Sequence, residues 1–283
     1  MKILHISDLH FQAECPVTRW PSLGWRRVAA QTEFRLLGRR KLFLKVAETV
    51  KLLLSEATRL GAEHLIVSGD LTALALPEEF EAARAALASW SDRLSIIPGN
   101  HDRYTPQAAR DQLFEKAFGD SLGSDLPEHC REGVFPIVKL VGDDVATIGL
   151  SSARVPLMPG IAAGWVGDAQ REALGAILRD KRVQGRGVLL TVHHAPLRPS
   201  GRPDIPTHGL VDGAKVLQIA AAAGAVGLCH GHIHHRYRVA GPGKLSIFGA
   251  GSSTQAGIEG YWLLDVDRSG LRSAEAVHLP TPA

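Results

Sequence analysis

The chain has 283 residues, of which 45% are hydrophobic and 22% are charged, values typical of a globular protein that is large enough to bury a core. Its net charge of +3 provides no strong electrostatic signal for nucleic-acid binding. The three cysteines, Cys15, Cys130 and Cys229, have no CxxC spacing, which argues against a disulfide framework and favours a reducing compartment.

The beginning of the sequence, MKILHISDLH, has too few apolar residues for a secretory signal peptide. No apolar run approaches the ~20 residues that a membrane-spanning helix needs. We therefore expect a cytoplasmic protein with no transmembrane segment. A basic stretch with interspersed leucines at residues 35–41 leaves contact with a membrane surface, or with a phosphate group, as the alternative to a solvated loop.

The first half of the chain is predicted to alternate strands and helices after a short buried strand at residues 2–7. Residues 11–40 contain two prolines, two tryptophans and several arginines and are predicted to be irregular, and long irregular stretches in compact proteins are usually functional. This stretch is a candidate lid or cap, in which Trp20 and Trp25 either contact substrate or pack on the body of the domain. The other elements predicted up to residue 133 are helices at 41–60, 77–90 and 105–118, strands at 64–68 and 94–97, and a loop at 119–133.

The second half is predicted to be richer in strands. Gly142-Asp143-Asp144 joins two extended stretches and predicts a hairpin, and a second long loop is predicted at 196–211. The remaining predicted elements are strands at 135–140, 145–150, 187–192 and 225–229, helices at 167–179 and 212–223, and extended stretches at 236–240, 244–248, 260–266 and near 271–278. This order predicts an α/β fold in which two sheets pack together with helices outside.

Five short motifs rich in metal-ligand residues each follow a predicted strand. They are Asp8-x-His10, Gly69-Asp70, Gly99-Asn100-His101-Asp102, His193-His194 and Gly231-His232-x-His234. The carboxyl ends of parallel strands meet at one edge of an α/β sheet, so we expect the motifs to converge there. Each motif alone is weak evidence for a metal site, whereas all five in this order are strong evidence.

Two aspartates, one asparagine and four histidines form a ligand set that suits Mn, Fe, Zn or Co better than Ca. The two carboxylate oxygens of Asp70 can bridge two metal ions. Two ions about 3.5–4 Å apart can hold the attacking and leaving oxygens of a phosphoester, and they lower the pKa of bound water toward ~7. His101 is then placed to protonate the leaving alkoxide, and Asp102 to orient His101 or to hold the loop.

The order of these motifs resembles that of the calcineurin-like metallophosphoesterase superfamily. The resemblance implies a four-layer α/β/β/α sandwich of two mixed sheets, in a single domain over residues 1–283 with a β-rich tail at 236–283. By the resemblance, His101 matches the family's catalytic histidine, and we group Asp102 with it as a candidate catalytic residue. The resemblance further implies that one metal ion is held by Asp8, His10, Asp70 and His234, and the other by Asp70, Asn100, His193 and His232.

Within the superfamily the chain is most similar to bacterial phosphodiesterases of the class III cyclic-nucleotide type. The similarity rests on residues 5–10, 69–72, 79–80, 98–102 and 193–196. One departure is Ala195, which stands where the family often has the first proline of an HHPP motif. Pro196 is retained and still fixes the turn that follows the ligand strand.

Other histidines are assigned by their positions. His194 is expected either behind the metal ligands or facing the substrate, and His208 lies in a loop that can reach the substrate. His230 flanks the last ligands and matches no required position. His5 and His64 are expected to be buried structural residues inside strands.

These features predict a metal-dependent phosphodiesterase that hydrolyses a small-molecule phosphodiester, such as a cyclic nucleotide or a glycerophosphodiester, by attack of a metal-bound hydroxide. One alternative is a pyrophosphatase acting on a nucleotide-linked lipid, for which residues 11–40 would supply an apolar cap. A nuclease is another, although it should carry a more basic surface. A non-catalytic scaffold is the least favoured, because all seven ligand positions and His101 are present. The β-rich tail is also a candidate edge for a homodimer.

Overall fold

The computed structural model describes residues 1–280 except residues 15, 37, 157 and 159, so that Cys15 and the last three residues of the predicted tail lie outside it. The strands are β1 (Lys2–Ile6), β2 (His64–Val67), β3 (Leu94–Ile96), β4 (Ile137–Val141), β5 (Val145–Gly149), β6 (Gly187–Thr191), β7 (Gly227–His230), β8 (Arg236–Ala240), β9 (Ser246–Ala250), β10 (Gly260–Asp267) and β11 (Gly270–His278). The α-helices are α1 (Trp20–Leu23), α2 (Trp25–Leu36), α3 (Val46–Arg59), α4 (Pro77–Leu87), α5 (Pro106–Arg110), α6 (Leu113–Phe118), α7 (Asp168–Ile177) and α8 (Gly213–Ala222).

The first sheet has five strands in the order β11-β10-β1-β2-β3. The strands β1, β2 and β3 are parallel, and β10 and β11 extend the sheet on the β1 side as antiparallel strands. Leu4 of β1 lies opposite Leu65 of β2, and both strands are buried except at Lys2. Continuous apolar strands of this kind are typical of parallel sheets that are covered on both faces.

The second sheet has six strands in the order β4-β5-β6-β7-β9-β8. Its four central strands are parallel, and β4 and β8 flank them as antiparallel strands. The hairpin predicted around Gly142 joins β4 to β5. Gly142 has a φ of 53°, the left-handed conformation that tight hairpins require and glycine adopts without strain.

Three hydrophobic cores lie between the layers of the molecule and pack them together. One core lies between the sheets and includes Ile66, Leu189, Phe248 and Trp262. A second core packs α3 and α4 on the first sheet, and a third packs α7 and α8 on the second sheet. The predicted four-layer α/β/β/α sandwich of two mixed sheets is therefore confirmed.

Residues 11–40 differ from the predicted irregular stretch, because they contain α1 and α2. The buried face of α2 includes Arg27, Ala30 and Gln31, and this mixture gives no apolar periodicity for a sequence pattern to detect. Arg27 donates hydrogen bonds to the carbonyl oxygens of Leu74 and Ala75, at 2.9 and 2.6 Å. The helix is thereby fixed against the segment that follows the Gly69-Asp70 motif.

Two predicted helices have different boundaries. The helix predicted at 41–60 begins only at Val46, after a 3₁₀ turn at Arg39–Phe43. The helix predicted at 105–118 is divided into α5 and α6, because Gln112 has a φ of 52° and a left-handed residue interrupts a right-handed helix. The loop predicted at 119–133 contains two further 3₁₀ turns.

Several polar groups are buried within the sheets as predicted. The rings of His5 and His64 hydrogen-bond to the hydroxyl groups of Ser68 and Ser95, at 2.9 and 2.8 Å.

Across the described residues, we find no helix with the length and apolar character needed to cross a membrane.

Candidate metal centre

The five motifs lie at one edge of the sheets, where parallel strands end. They follow β1, β2, β3, β6 and β7 in turn. Backbone hydrogen bonds join neighbouring motifs, since the amide of Asp8 donates to the carbonyl oxygen of Gly69 and the amide of Gly231 donates to that of His193, both at 3.0 Å. The convergence expected from the strand order is therefore present in the fold.

Four of the predicted ligands have a left-handed backbone conformation, which non-glycine residues seldom adopt. The φ angle is 53° at Asp8, 52° at His10, 54° at Asp70 and 69° at His232. Only two other non-glycine residues in the described part of the chain share a positive φ. Such strain costs about 1–3 kcal/mol per residue and clusters at functional sites, so the backbone marks this group independently of the motifs.

The first predicted ligand group brings Asp8, His10, Asp70 and His234 together. The Nε2 atoms of His10 and His234 are 3.2 Å apart. Oδ1 of Asp8 lies 3.4 Å from Nε2 of His234, and Oδ2 of Asp70 lies 3.9 Å from Nε2 of His10. Ligand atoms that share one ion at about 2.1 Å are ~3–3.5 Å apart in tetrahedral geometry. The two shorter distances lie in this range, and a shift of Asp70 toward His10 by a few tenths of an ångström would bring the third into it.

The second predicted group brings Asp70, Asn100, His193 and His232 together. Nε2 of His193 lies 3.4 Å from Oδ2 of Asp70 and 3.1 Å from Oδ1 of Asn100. Nδ1 of His232 lies 3.0 Å from the same oxygen of Asn100. Because Oδ2 of Asp70 is near ligands of both groups, this carboxylate is placed to bridge two ions.

Three histidines are held in the tautomer that metal binding requires. The Nδ1–H of His193 donates to the carbonyl oxygen of Ser68 at 2.8 Å, and the Nε2–H of His232 donates to that of His208 at 2.9 Å. Nδ1 of His234 lies 3.0 Å from the side-chain oxygen of Gln255. A carbonyl oxygen can only accept, so the outer nitrogen of each ring carries a proton and the other nitrogen is the one that can bind a metal ion, as in ligating histidines. That nitrogen faces Asp70 and Asn100 in His193, Asn100 in His232 and Asp8 in His234.

The electrostatics of the group favour added positive charge. Burial disfavours a charged His193, yet the adjacent Asp70 carboxylate outweighs this effect and raises the pKa of His193 to about 9. Burial also disfavours a charged Asp70, but the positive charge of His193 holds the pKa of Asp70 well below its usual value. Two buried carboxylates ringed by imidazoles therefore attract cations, and a metal ion can replace the protons that they would otherwise hold. The donor set fits a pair of transition-metal ions.

Gly99 allows the second and third motifs to approach each other. A Cβ atom at Gly99 would collide with Oδ1 and the backbone nitrogen of Asp70. The backbone cannot move away from this contact without displacing the carboxylate that both ligand groups share.

We expect Gly99→Ala to lose bound metal and to be destabilised by about 1–3 kcal/mol, the usual cost of overpacking. The measurement is metal content by mass spectrometry together with the thermal midpoint. Gly123→Ala is the matched control, because a Cβ atom at Gly123 meets nothing within 4 Å. Equal metal content in the two variants would contradict this account of Gly99.

His101 faces the same centre from the third motif. Its Nδ1–H donates to the carbonyl oxygen of Ala73 at 2.7 Å, and the side chain lines the cavity. A ring nitrogen of His101 lies within 4.8 Å of ligand atoms of His10 and Asp70. Its ring also stacks on Tyr104 with centroids 5.8 Å apart. This geometry supports the predicted role in proton transfer.

Asp102 points away from the cavity. Its Oδ2 accepts from the amides of Leu71 and Gly99, at 3.2 and 2.9 Å, and its Oδ1 accepts from the amide and hydroxyl of Thr72, at 3.0 and 2.9 Å. The side chain thus joins the second motif to the third. Of the two roles that we predicted for Asp102, these contacts favour holding the loop over taking part in the chemistry.

His194 and His208 occupy different positions relative to the ligands. His194 is buried behind them, where its Nδ1 hydrogen-bonds with the Ser152 hydroxyl at 2.8 Å and its ring lies 4.6 Å from that of His232. His208 lines the cavity, and its Nδ1 pairs with Asp204 at 2.6 Å. His208 is therefore the one of the two that can meet a substrate.

A cavity of about 510 Å³ opens over the motifs. Trp20 packs in a small apolar cluster with Leu23 and Leu74, and Trp25 is 64% exposed. Neither tryptophan is among the described residues that line the cavity, and residues 11–40 contribute Arg26 and Ala30 instead. Other lining residues that the sequence did not single out are Leu42, Tyr104, Pro156, Gly160, Ile161, Ala162 and Gln255.

The sequence is similar to a known family and to a characterised protein. The model of the family described as calcineurin-like phosphoesterase matches residues 1–236. The glycerophosphodiester phosphodiesterase GpdQ of Enterobacter lignolyticus is 27% identical over 221 residues, which is 77% of this chain. The matched region spans 65% of that relative's own length.

Solved structures share the architecture. A dimetal phosphatase from Danio rerio superposes with a TM-score of 0.66 at 12% identity, and 98% of each chain is covered. The protein TT1561 of Thermus thermophilus superposes with a TM-score of 0.53 at 13% identity, again with 98% of each chain covered. At such low identity these likenesses concern the fold alone.

Proposed function

The chain belongs to the calcineurin-like phosphoesterase family, and from that premise we propose that it is a dinuclear metal-dependent phosphodiesterase acting on a small-molecule phosphodiester. Glycerophosphodiesters and cyclic nucleotides are the substrate classes to test first, because GpdQ, with which it shares 27% identity, is a glycerophosphodiester phosphodiesterase. We propose Mn, Fe, Zn or Co as the metal ions, since the ligand set combines carboxylate, amide and imidazole. A cytoplasmic location and a homodimer remain predictions.

The observation that carries the proposal is the joint geometry of seven side chains. Two carboxylates, one amide and four imidazoles converge within a few ångströms, and three of the rings are held by outer hydrogen bonds with the other ring nitrogen turned inward. When the inward nitrogens lose their protons, the same donor set can bind metal ions. Asp8, His10, Asp70 and His234 would hold one ion, and Asp70, Asn100, His193 and His232 the other.

A bound metal pair would supply Lewis acidity toward a phosphoryl group and toward water. The chain's own residues do the rest. His101 receives a proton at Nε2 while Ala73 holds its Nδ1–H, and the protonated ring can pass that proton to a leaving alkoxide. Asp70 and Asn100 hold the two ligand groups in position relative to each other, and Asp102 holds the loop that joins the second motif to the third.

Hydrolysis of bis(p-nitrophenyl) phosphate and of p-nitrophenyl phosphate tests the proposal. We expect diester turnover to exceed monoester turnover, to disappear after chelation and to return when Mn is added, because two ions are needed to hold both reacting oxygens. Turnover that survives complete metal removal would overturn the proposal. So would a protein that binds two ions and hydrolyses the monoester in preference to every diester tried.

A further inference from the structure

The large hydrophobic side chains that remain exposed in the described chain lie in three segments that contact one another around the cavity. They are Trp25, Leu44, Met158, Trp165, Ile205 and Val211. They come from three segments, residues 11–45, 154–165 and 204–211, and each of these segments also contributes residues that line the cavity. Exposed apolar groups that gather in one place mark an interaction surface, whereas scattered ones carry no meaning.

The exposed groups lie next to cavity residues along the chain. Trp25 precedes Arg26, Leu44 is two residues beyond Leu42, and Met158 is two residues beyond Pro156. The carbonyl oxygen of Ile205 accepts the amide of the cavity residue His208 at 3.0 Å. Trp165 and Val211 adjoin the bridge between Gly164 and Leu210, which joins the second segment to the third. We call these six exposed side chains the apolar rim.

Charge is unevenly divided between the rim and the rest of the molecule. Residues 11–45 contain eight arginines or lysines and two glutamates, while the remaining residues contain 24 basic and 27 acidic side chains. Lys41 and Lys45 are both exposed and stand on either side of Leu44 in the sequence. A basic, apolar segment is therefore carried by a body that is net acidic.

We propose that the apolar rim and the basic segment at 11–45 dock the protein on the surface of an anionic lipid bilayer, with the mouth of the cavity toward the lipid. Exposed tryptophan and aliphatic side chains enter the headgroup region, and lysine and arginine are attracted to anionic lipids within a Debye length. The combination supplies both of the forces that interfacial binding uses. The docking surface contains none of the seven predicted metal ligands. Docking there goes beyond the proposed function, because it places the enzyme at a membrane surface.

Two other partners fit the surface less well. Four of the six rim side chains, those of Leu44, Met158, Ile205 and Val211, offer no ring on which a nucleic-acid base can stack, and within the rim only the two tryptophans do. A second copy of this chain would bring two basic segments face to face, and like charges across an interface oppose association. An anionic lipid surface is complementary both to the positive charge of the segment at 11–45 and to the aliphatic side chains of the rim.

Vesicle sedimentation tests the proposal. The probes are vesicles of phosphatidylcholine alone and vesicles in which about a third of the lipid is phosphatidylglycerol, a composition that gives a negative surface potential. We expect at least about tenfold tighter binding to the anionic vesicles, weakened by salt because the attraction is screened. Equal binding to both kinds of vesicle, or binding to neither, would overturn the proposal.

Two double variants distinguish the electrostatic contribution to vesicle binding from the hydrophobic one. Lys41→Glu with Lys45→Glu should lose the preference for anionic lipid, and Leu44→Asp with Met158→Asp should bind weakly to either vesicle. Arg84→Glu with Lys116→Glu makes the same charge change at exposed positions outside the rim and should bind like the unaltered protein. Wild-type binding by the Lys41 and Lys45 variant would contradict docking through this segment.

Binding to the two competing partners is measured with the same purified proteins. If the protein binds single-stranded DNA but not vesicles, the surface is a nucleic-acid site and the proposal is wrong. If it forms a dimer that Leu44→Asp dissociates and that does not bind vesicles, the surface is a dimer interface and the proposal is likewise wrong. Circular dichroism and hydrolysis of bis(p-nitrophenyl) phosphate without vesicles verify folding and the metal centre. Because sedimentation needs no turnover, failure of docking is distinguishable from failure of the proposed function.

Discussion

Replacing Asp70 with alanine should reduce metal content and lower turnover of bis(p-nitrophenyl) phosphate by about 10³-fold or more, since loss even of an outer partner of a metal ligand costs 10–100-fold. The Asp70 carboxylate lies within 4 Å of ring nitrogens from both groups, those of His10 and His193. In the proposed bridging arrangement its loss would remove one ligand from each ion at once. It also removes the negative charge that balances His193.

Metal content by mass spectrometry and the thermal midpoint with and without Mn are the two measurements. An ion that binds only the folded state raises the midpoint of the unaltered protein, and this rise should be small or missing in Asp70→Ala. Asp92→Ala, which removes an exposed carboxylate that belongs to none of the five motifs, should keep the rise. If Asp70→Ala retains two ions and normal turnover, the bridging assignment is wrong.

The convergence of the site could be predicted because it depends on strand order alone. Each motif follows a short apolar stretch, and parallel strands deliver their carboxyl ends to one edge whatever the side chains beyond them. Asp8 and His232 are 224 positions apart, yet the amide of His232 donates to Oδ2 of Asp8 at 3.0 Å. Long-range contacts of this kind follow from topology, so a sequence that fixes the topology also predicts them.

The walls of the cavity could not be predicted in the same way. Gln255 and Tyr104 are single residues in loops with no spacing that distinguishes them from surface residues, although each contacts a residue of the site. The helix α2 was missed because Arg27 and Gln31 occupy its buried face, where a pattern search expects apolar groups. Arg27 and Gln255 are held by hydrogen bonds to groups that are distant in sequence, which periodicity does not encode.

Asp102 illustrates the limit for catalytic roles. Its place beside His101 in the motif is equally compatible with orienting the imidazole and with holding the loop. The structure shows that it accepts four hydrogen bonds from Leu71, Thr72 and Gly99, while His101 is oriented by the carbonyl of Ala73. Adjacency in sequence placed both residues near the site, and the hydrogen bonds of each side chain favour one of its predicted roles over the other.

Replacing His101 with alanine should leave metal content intact and slow the hydrolysis of substrates with poor leaving groups by about 10²–10⁴-fold, the usual contribution of a general acid. His101 is not among the seven predicted ligands, and its Nδ1–H is held by a backbone carbonyl. In the proposed role the ring protonates a leaving alkoxide, which departs from phosphorus far more readily with a proton than without one. The p-nitrophenolate ion departs without one, so the same variant should lose far less on bis(p-nitrophenyl) phosphate.

The ratio between these two losses distinguishes proton donation from other roles. Glycerophosphocholine and bis(p-nitrophenyl) phosphate, assayed with equal metal content, supply the poor and the good leaving group. His278→Ala, which removes an exposed imidazole on the edge strand β11, should leave both rates unchanged. An equal slowing of both substrates by His101→Ala would indicate that the ring stabilises charge on the phosphoryl oxygens, because those oxygens are present with either leaving group. Unchanged rates on both would exclude His101 from the chemistry and direct attention to His208, the other histidine outside the seven predicted ligands that lines the cavity in the described part of the chain.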